Sequence, residues 1–472
     1  MRGTSMGTRR GRLPARLLVG VLACAAMALG AASVFAATSS TPYEFEGIPA
    51  PHPQLNSEMP ERLTTAQDID GDGLTDIYAS TFDLDVNGLE DVGRVYLFSG
   101  ATRNLIRQLE APDQQEDANF GFYISVPGDV NGDGIEDVSV GAPGLDVDGN
   151  ENQGRLYVFD GRTGSLLHSI DHPDEQAGAG FAGRIGAAGD VNGDGFADVI
   201  AGAPGQDRGE AVNAGKAFVF SGRDKSLLRE YVIPEEDLTC VVGGIHQPGV
   251  SCGSLGHTVQ VIGDLNADGV PDHMVGAGSY DGIGRIYVFS GADGTVLTRI
   301  DPPEQGDPSS FFGLFDPDRY TPGDLTGDGV PEIYGAGFQL DRGLLVSAGR
   351  AWVFDGAKSL QAGEGVVLYE VEDPNPADGK AFGWAVSKTN YNNDGVTDLL
   401  VSNLANHEGS AVPQEAYVID GRNGEALKTL ELPSTLVEVP EGEDNGTGFG
   451  WSSRALGDVN GDCQPDYAAA AP

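Results

Sequence analysis

The sequence predicts an all-β protein, a seven-bladed β-propeller whose last blade is incomplete. One observation is a nine-residue acidic pattern that recurs seven times, at intervals of roughly 60 to 75 residues. A second is a set of short β-branched and aromatic runs between the copies, bounded by Gly, Asp and Ser. A steady period of this length is typical of propellers and arrays, in which one unit cannot bury its apolar face alone.

The first 36 residues have the features of an export signal. A basic head with five arginines precedes an apolar stretch, Leu17 to Val34, and Val34-Phe35-Ala36 offers a small-residue cleavage site. A retained membrane anchor is the alternative, but no later run is long and apolar enough to span a bilayer. We expect residues 1–36 to be removed, residues 37–60 to form an N-terminal segment, and residues 61–472 to form the propeller of a secreted or cell-surface protein.

The chain is strongly acidic, with 71 Asp and Glu against 28 Lys and Arg and a formal net charge of −43. A nucleic-acid partner is disfavoured, because a phosphate backbone requires a basic surface. Such a composition suits either a highly soluble chain or one whose carboxylates are held in place by bound cations. The spacing of the acidic residues decides between these interpretations.

The acidic pattern predicts a Ca²⁺-binding loop. Calcium takes about six to eight oxygen ligands, and alternate residues in a tight loop direct the side chains of positions 1, 3, 5 and 9 toward one centre. The carbonyl of position 7 adds an oxygen, and glycine at position 6 lets the backbone turn. The predicted side-chain ligands are Asp68, Asp70, Asp72 and Asp76; Asp129, Asn131, Asp133 and Asp137; Asp190, Asn192, Asp194 and Asp198; Asp264, Asn266, Asp268 and Asp272; Asp324, Thr326, Asp328 and Glu332; Asn390, Asn392, Asp394 and Asp398; Asp458, Asn460, Asp462 and Asp466.

Two alternatives to a cation loop are weaker. An EF-hand needs a glutamate at position 12 and flanking helices, but all seven copies have a small or apolar residue there. Asp-Gly and Asn-Gly pairs also form simple turns. Seven copies in register, however, would place carboxylates close enough to repel one another without a cation.

The seven loops are not equivalent. Loops one to four keep every expected oxygen donor, whereas Thr326 and Glu332 change the ligands of loop five. Asn390 removes a charge from loop six, and Cys463 replaces the glycine of loop seven, where a Cβ would strain the turn. We expect several structural calcium ions, with the weakest site in loop seven.

The residues around the loops resemble those of a known family. A Phe-Gly such as Phe120-Gly121 precedes the loop, and Gly141-Ala142-Pro143 follows it. Together with the acidic pattern, this resembles the FG-GAP repeat of the integrin α-chain head over residues 61–472. The resemblance implies a propeller whose cation loops join the two inner strands of each blade, with partner contacts on the opposite face. The first copy lacks Phe-Gly, and the fourth and fifth end in Gly-Ala-Gly.

The function predicted is an adhesion or ligand-binding scaffold for an extracellular protein or glycan. Candidate contact loops are Phe82–Val92, Gly144–Asn152 and Gly205–Ala214. A propeller-fold polysaccharide lyase or glycosidase, with its site at the axial mouth, is the alternative. No catalytic residue is assigned, because Gly249-Val-Ser251-Cys-Gly253 matches a nucleophile motif but lacks the strand–turn–helix context.

The chain end and the cysteines give the remaining expectations. The seventh repeat stops at Pro472 without its outer strands, and residues 43–46 offer one N-terminal strand to close the ring. In an oxidising compartment, Cys240 and Cys252 can form a local disulfide. No stretch after the signal shows helical periodicity.

Overall fold

A computed structural model gives the structure of the protein. It describes residues 33–38, 44–49, 62–238, 241–242, 245–246, 252–278, 283–303, 311–317, 322–404, 415–431, 452–459 and 464–470. For residues 33–38, 44–49, 241–242 and 245–246 only the backbone is described.

The described residues form short strands, as the β-branched and aromatic runs predict. In chain order they are β1 (Ser33–Thr38), β2 (Glu44–Pro49), β3 (Arg62–Ala66), β4 (Asp76–Thr81), β5 (Arg94–Phe98), β6 (Leu105–Glu110), β7 (Tyr123–Gly128), β8 (Asp137–Ala142), β9 (Arg155–Phe159), β10 (Leu166–Asp171), β11 (Arg184–Gly189), β12 (Asp198–Ala203), β13 (Lys216–Phe220), β14 (Leu227–Val232), β15 (Val241–Val242), β16 (Ile245–His246), β17 (Leu255–Gly263), β18 (Asp272–Ala277), β19 (Arg285–Phe289), β20 (Val296–Ile300), β21 (Asp316–Pro317), β22 (Ile333–Gly337), β23 (Arg350–Phe354), β24 (Val367–Val371), β25 (Phe382–Thr389), β26 (Asp398–Asn403), β27 (Glu415–Ile419), β28 (Ala426–Glu431), β29 (Ser453–Gly457) and β30 (Asp466–Ala469).

The strands form the blades of a β-propeller. Four antiparallel sheets, β3–β6, β7–β10, β11–β14 and β17–β20, each contain four consecutive strands. Strands β22–β24 and β25–β28 belong to two further blades. The first strands of neighbouring blades pack side by side, β3 on β7, β7 on β11 and β11 on β17, so these strands lie innermost.

The fifth blade departs from the regular pattern. Its first segment, β21, pairs in parallel with β25 of the next blade, and Gly323 forms a bridge to Glu332. Its third and fourth strands are joined by a helix, α1 (Gly356–Ala362), where the sequence predicts no helix. Asp355 caps its N-terminus by accepting a hydrogen bond from the Lys358 amide. Seven residues are too few to show a helical period, so local capping determines this element.

One more sheet joins the two ends of the described chain, in the order β2-β1-β30-β29. The sequence predicts a single N-terminal strand here and an incomplete blade, whereas the structure has two N-terminal strands and a four-stranded sheet. Phe35, Ala36 and Ala37 pair with Ala469, Ala468 and Tyr467. Strand β1 therefore begins inside the segment predicted to be removed on export.

Blades two to six dock on the preceding blade through their Phe-Gly residues or, in the third and fourth blades, through Phe181-Ala182 and Leu255-Gly256. The Phe120 amide donates to the Val92 carbonyl at 2.9 Å, and the Phe120 side chain is fully buried. It packs edge-on against Tyr157 and Phe159 of its own blade, with ring centroids 5.7 and 5.9 Å away. Equivalent amide bonds are made by Phe181, Leu255, Phe312 and Phe382.

A glycine ahead of the third strand in blades one to five permits this docking. Gly93 has φ of +84°, and a Cβ there would lie 2.1 Å from the Phe120 carbonyl oxygen. The corresponding residues Gly154, Gly215, Gly284 and Gly349 also have positive φ and touch the next blade's backbone. The glycine that opens runs such as Gly154-Arg-Leu-Tyr-Val-Phe159 is therefore an inter-blade contact.

Cys252 is buried and disulfide-bonded. Its predicted partner, Cys240, lies outside the described residues, as do Ser251 and most of the Gly-x-Ser-x-Gly motif.

Replacing Gly154 with alanine is expected to loosen the second and third blades, because the added Cβ would lie 2.2 Å from the Phe181 carbonyl oxygen. Gly149 has a similar φ, +89°, but nothing lies within 4 Å of its added Cβ. Gly149→Ala therefore measures only the cost of a left-handed backbone conformation, a loss of about 1–2 kcal/mol in the free energy of unfolding. Gly154→Ala should lower the free energy of unfolding by a further ~1–3 kcal/mol in chemical denaturation. Equal losses in the two variants would contradict the docking role.

Candidate metal centres

The acidic loops connect the first and second strands of the blades. Loop one lies between β3 and β4, loop two between β7 and β8, and loop three between β11 and β12. Loops four and six occupy the same place before β18 and β26. Since the first strands all run toward their loops, the loops lie at one end of the blades.

The first aspartate organises the backbone of its loop. Asp68 accepts hydrogen bonds from the amides of Gly71, Asp72 and Gly73 at 2.7, 3.0 and 2.7 Å. Similar amide bonds are accepted by Asp129, Asp190, Asp264 and Asp324. The first aspartate thus holds the backbone of its loop around the centre toward which the ligand side chains are predicted to point.

The last position of the loop is a buried carboxylate that ties the loop to its blade. Asp137 is fully buried, and its two oxygens accept from the amides of Val130 and Gly161, both at 2.9 Å. Gly161 lies in the turn after the third strand. The same pair of bonds is made by Asp76, Asp198, Asp272 and Asp398.

The sequence prediction assigned no role to the glycine of this turn. An added Cβ at Gly161 would lie 1.9 Å from the Glu136 carbonyl oxygen, so only glycine allows the turn to close on the loop. The corresponding residues are Gly100, Gly222, Gly291, Gly356 and Gly421. The signal in the sequence is a glycine two residues after each Tyr-Val-Phe-like run, as in Phe159-Asp160-Gly161.

Burial raises the pKa of this last carboxyl. It raises the pKa of Asp137, Asp198 and Asp272 to about 6, although the backbone hydrogen bonds act in the opposite direction. Burial also raises the pKa values of Asp76 and Glu332. None of the nine-residue loops contains a basic residue, so a bound cation would supply the positive charge that these carboxylates lack.

The carboxylates of two loops converge in a way that fits a hard divalent cation. One oxygen from each of Asp68, Asp70 and Asp76 lies within 4.8 Å of the others. Oxygens on opposite sides of a calcium ion lie about 5 Å apart, twice the usual Ca–O distance. The same convergence occurs in loop five among Asp324, Asp328 and Glu332. An all-oxygen donor set suits calcium or magnesium rather than a soft metal.

The FG-GAP repeat family matches the chain at residues 122–159 and 182–220. These two segments run from the first to the third strand of the second and third blades, and each includes one acidic loop. The protein carries FG-GAP repeats.

Several integrin alpha chains are similar to these FG-GAP repeats. Integrin alpha-5 of Xenopus laevis is 28% identical over 247 residues, which are 50% of this chain and 21% of the relative. Integrin alpha-2 of Mus musculus is 35% identical over 150 residues, 29% of this chain and 12% of the relative. Integrin alpha pat-2 of Caenorhabditis elegans is 28% identical over 268 residues, 51% of this chain and 20% of the relative. The protein is an integrin alpha-like FG-GAP β-propeller that spans about a fifth or less of these relatives.

The described part of the FG-GAP chain has no helix with the length and apolar character needed to cross a membrane.

Arginines modify two of the FG-GAP loops. Arg162 follows Gly161, the glycine whose amide donates to Asp137. Arg162 itself donates to Asp133 Oδ2 at 2.8 Å, and this bond holds the pKa of Asp133 below its usual value. In loop six, Arg422 Nη1 lies 2.9 Å from Asp394 Oδ2. A cation in either loop must share its position-5 carboxylate with an arginine, which the loop sequence alone does not reveal.

The last three FG-GAP loops are placed as follows. Thr326 Oγ1 donates to Glu332 at 3.2 Å in loop five, so the altered pair remains in contact. In loop six, Asn392 accepts from the Asp394 amide at 3.0 Å. In loop seven, Asp466 accepts from the Val459 amide at 2.9 Å. Asn460, Asp462 and Cys463 lie outside the described residues, so the predicted weakness of loop seven stays a prediction.

Arg162→Gln should raise the calcium affinity of loop two roughly two- to fivefold, because it removes an exposed ion pair that competes for Asp133. Arg223 is the matched control. It follows Gly222, the equivalent of Gly161 in the third blade, but it lies over the Phe196 ring, 5.0 Å from its centre. Calcium titration calorimetry on the full chain measures the shift. An equal change in Arg162→Gln and Arg223→Gln, or none in either, would show that the ion pair does not compete with the metal.

Proposed function

We propose that the protein is an exported, calcium-binding, seven-bladed FG-GAP propeller that acts as an adhesion or ligand-binding scaffold. The observation that carries this proposal is the recurrence of acidic loops at one end of the blades, with converging carboxylates in loops one and five. The likeness to integrin alpha chains supports an extracellular protein or glycan as the partner. Removal of residues 1–36 as an export signal is also proposed; the seventh blade of the mature protein would then keep β29, β30 and only Ala37 and Thr38 of β1.

The sheet β2-β1-β30-β29 is proposed as the seventh blade. Its inner strand β29 packs on β25 of the sixth blade and on β3 of the first. The Ser452 hydroxyl lies 3.3 Å from both the amide and the carbonyl oxygen of Leu63. The Ala455 amide donates to Ser387 Oγ at 3.1 Å. These contacts on both flanks support a closed ring.

Calcium is proposed to stabilise the fold rather than to take part in chemistry. The ion would be held by the side chains of positions 1, 3, 5 and 9, and loops one to four retain all of these donors. Its binding would strengthen the connection between the first two strands and the turn after the third strand, because the position-9 carboxylate contacts both. An ion that binds only the folded state stabilises it by mass action.

The end of the blades opposite the cation loops is the proposed binding face. It carries the loops between second and third strands, which are braced by side-chain bonds such as Asp146 Oδ1 to the Asn152 amide, 2.8 Å. The equivalent loop of the fifth blade presents Leu344 and Val346, which are 98% and 62% exposed. These loops would offer a protein partner acidic side chains that are held in place by hydrogen bonds, and an exposed apolar contact at Leu344 and Val346.

A second candidate function, polysaccharide cleavage at the axial mouth, would have to use the cluster of Tyr123, Asp316 and Arg454. Tyr123 Oη donates to Asp316 Oδ1, and Arg454 Nη2 lies 3.3 Å from the same oxygen. Burial acts to raise the pKa of Asp316, but the charges of Arg454 and Arg62 hold it below its usual value. Burial raises the pKa of Tyr123. Asp316 thus stays ionised and Tyr123 protonated, so the pair is a poor acid and a poor base.

Removing calcium with EDTA is expected to lower the melting temperature of the full chain. At about 2 mM Ca²⁺ and dissociation constants near 10⁻⁴–10⁻³ M, each loop contributes about 0.6–1.8 kcal/mol. Differential scanning calorimetry with and without EDTA measures the change, and added calcium should restore the original melt. An identical melting temperature with and without EDTA would contradict the calcium proposal.

Binding and catalysis are separated by one pair of assays on the wild-type protein. In a calcium-containing buffer, we expect retention on an array of glycans and extracellular proteins, and no release of reducing sugar from the same glycans. Leu344→Ser should weaken retention on a protein partner without changing the melt, because Leu344 is exposed. Release of reducing sugar would instead establish the enzymatic alternative.

A further inference from the structure

A lysine is fully buried where the sixth blade docks on the fifth. Lys380 lies two residues before Phe382, and its side chain is 0% exposed. The residues at the same place in the second and third blades are Ala118 and Ala179, which are also buried. Docking therefore does not need a charge at this position, and a buried ion pair is by itself a weak source of stability.

Two carboxylates, a hydroxyl and a carbonyl surround the ammonium group of Lys380. Its Nζ lies 2.8 Å from Asp373 Oδ1 and 3.0 Å from Glu415 Oε2. It also donates to the Asn375 carbonyl at 2.7 Å and to the Tyr417 hydroxyl at 2.5 Å. The side chains of Asp373 and Glu415 are 1% and 5% exposed, so the whole group is shielded from water.

The two carboxylates are held in different ways. Glu415 Oε2 accepts a hydrogen bond from the Tyr417 hydroxyl. Asp373 Oδ1 accepts from the Asn375 amide at 2.9 Å and from Lys380. Asp373 Oδ2, in contrast, is buried and has no hydrogen-bond partner in the part of the chain that the structure describes. An unpartnered buried carboxylate oxygen is costly, and this cost disappears if the oxygen leaves as water.

We propose that Lys380 and Asp373 condense into an intramolecular amide, with Glu415 as the proton carrier. A proton first passes from the Lys380 ammonium to Asp373, which replaces two buried charges by an amine and a carboxylic acid. Nζ then bonds to the carboxyl carbon of Asp373, and Glu415 moves a proton from the nitrogen to the leaving hydroxyl, which departs as water. An amine and an acid give an amide and water, so no oxidant or cofactor is required.

The dry surroundings of Lys380 distinguish it from another lysine that contacts two carboxylates. Lys216 contacts Asp174 and Glu230, but its side chain is 14% exposed and theirs are 39% and 41% exposed. Water solvates these three charges, so they remain an ordinary surface ion pair. Lys380 and Asp373 are in contact without water, as a near-attack arrangement requires.

The amide would fix segment 373–380, which supports an exposed loop of the fifth blade. Asp378 Oδ1 accepts from the Val346 amide at 2.9 Å, and the Gly379 amide donates to the Val346 carbonyl at 2.8 Å. Leu344 and Val346 are the exposed apolar residues of that loop. The cross-link would hold this loop in place, but the inference does not rest on the proposed binding function.

Trypsin digestion of the denatured wild-type chain, followed by mass spectrometry, tests this proposal. Trypsin does not cleave after an acylated lysine, so we expect a peptide of residues 359–388 that is about 18 Da lighter than its sequence, the mass of one water. Tandem mass spectrometry should give no backbone fragments between residues 373 and 380, because they form a ring. Cleavage after Lys216 should be complete in the same digest, which makes Lys216 the internal control.

Two variants separate the reaction from the ion pair. Lys380→Arg keeps a positive charge but cannot form the amide, so its peptides should have their full mass. Glu415→Gln keeps both reacting groups but cannot carry the proton, so the cross-linked fraction should fall at least about tenfold. Circular dichroism checks the fold of each variant, and if neither folds, the wild-type digest still decides.

Three results would overturn the proposal. One is complete cleavage after Lys380 in the wild type without a loss of mass. Another is a loss of water with cleavage after Lys380 intact, because this indicates a succinimide at Asp378-Gly379 instead of an amide. Equal cross-linking in the wild type and in Glu415→Gln would overturn the role given to Glu415.

Discussion

The contact between each Phe-Gly and the glycine of the preceding blade is the constraint on which the rest of the structure depends. A side chain at Gly93 or Gly154 would separate two backbones that approach within hydrogen-bonding distance. Because this contact repeats, the first strands of neighbouring blades are brought side by side with one polarity. That polarity places every described cation loop at one end and the strand starts, with their arginines, at the other.

The repeat made the loops predictable, whereas their surroundings depend on tertiary structure. Positions such as Asp68 and Asp137 follow from spacing within nine residues, and the structure places the described ones in loops between first and second strands. The hydrogen bond from Gly161 to Asp137 joins segments of one blade that are separated by strands β8 and β9, so the sequence shows the recurring glycine but not its partner. Arg62 and Asp316 lie far apart in sequence and meet only when the blades surround an axis. Helix α1 is too short for a periodic signal.

Charge is distributed unevenly between the two ends of the blades. The loops contain carboxylates without basic neighbours in the same nine residues, which favours a cation. Among the described residues, the opposite end buries the guanidinium groups of Arg62 and Arg454 beside the carboxylate of Asp316. The net charge of −43 conceals this difference, because a sum over the chain does not say where each sign is concentrated. A search restricted to acidic motifs finds only the first of these environments.

The sheet that pairs β1 with β30 contains contacts between residues that are very far apart in the sequence. Its partners, such as Ala37 and Tyr467, are separated by more than four-fifths of the chain. The preceding blades can form in sequence from neighbouring segments, but this sheet must wait until β30 has been synthesised. Non-local pairing of this kind slows folding, and it leaves strand edges uncovered in the meantime. Maturation should therefore be limited by the joining of the two ends rather than by the formation of any single repeat.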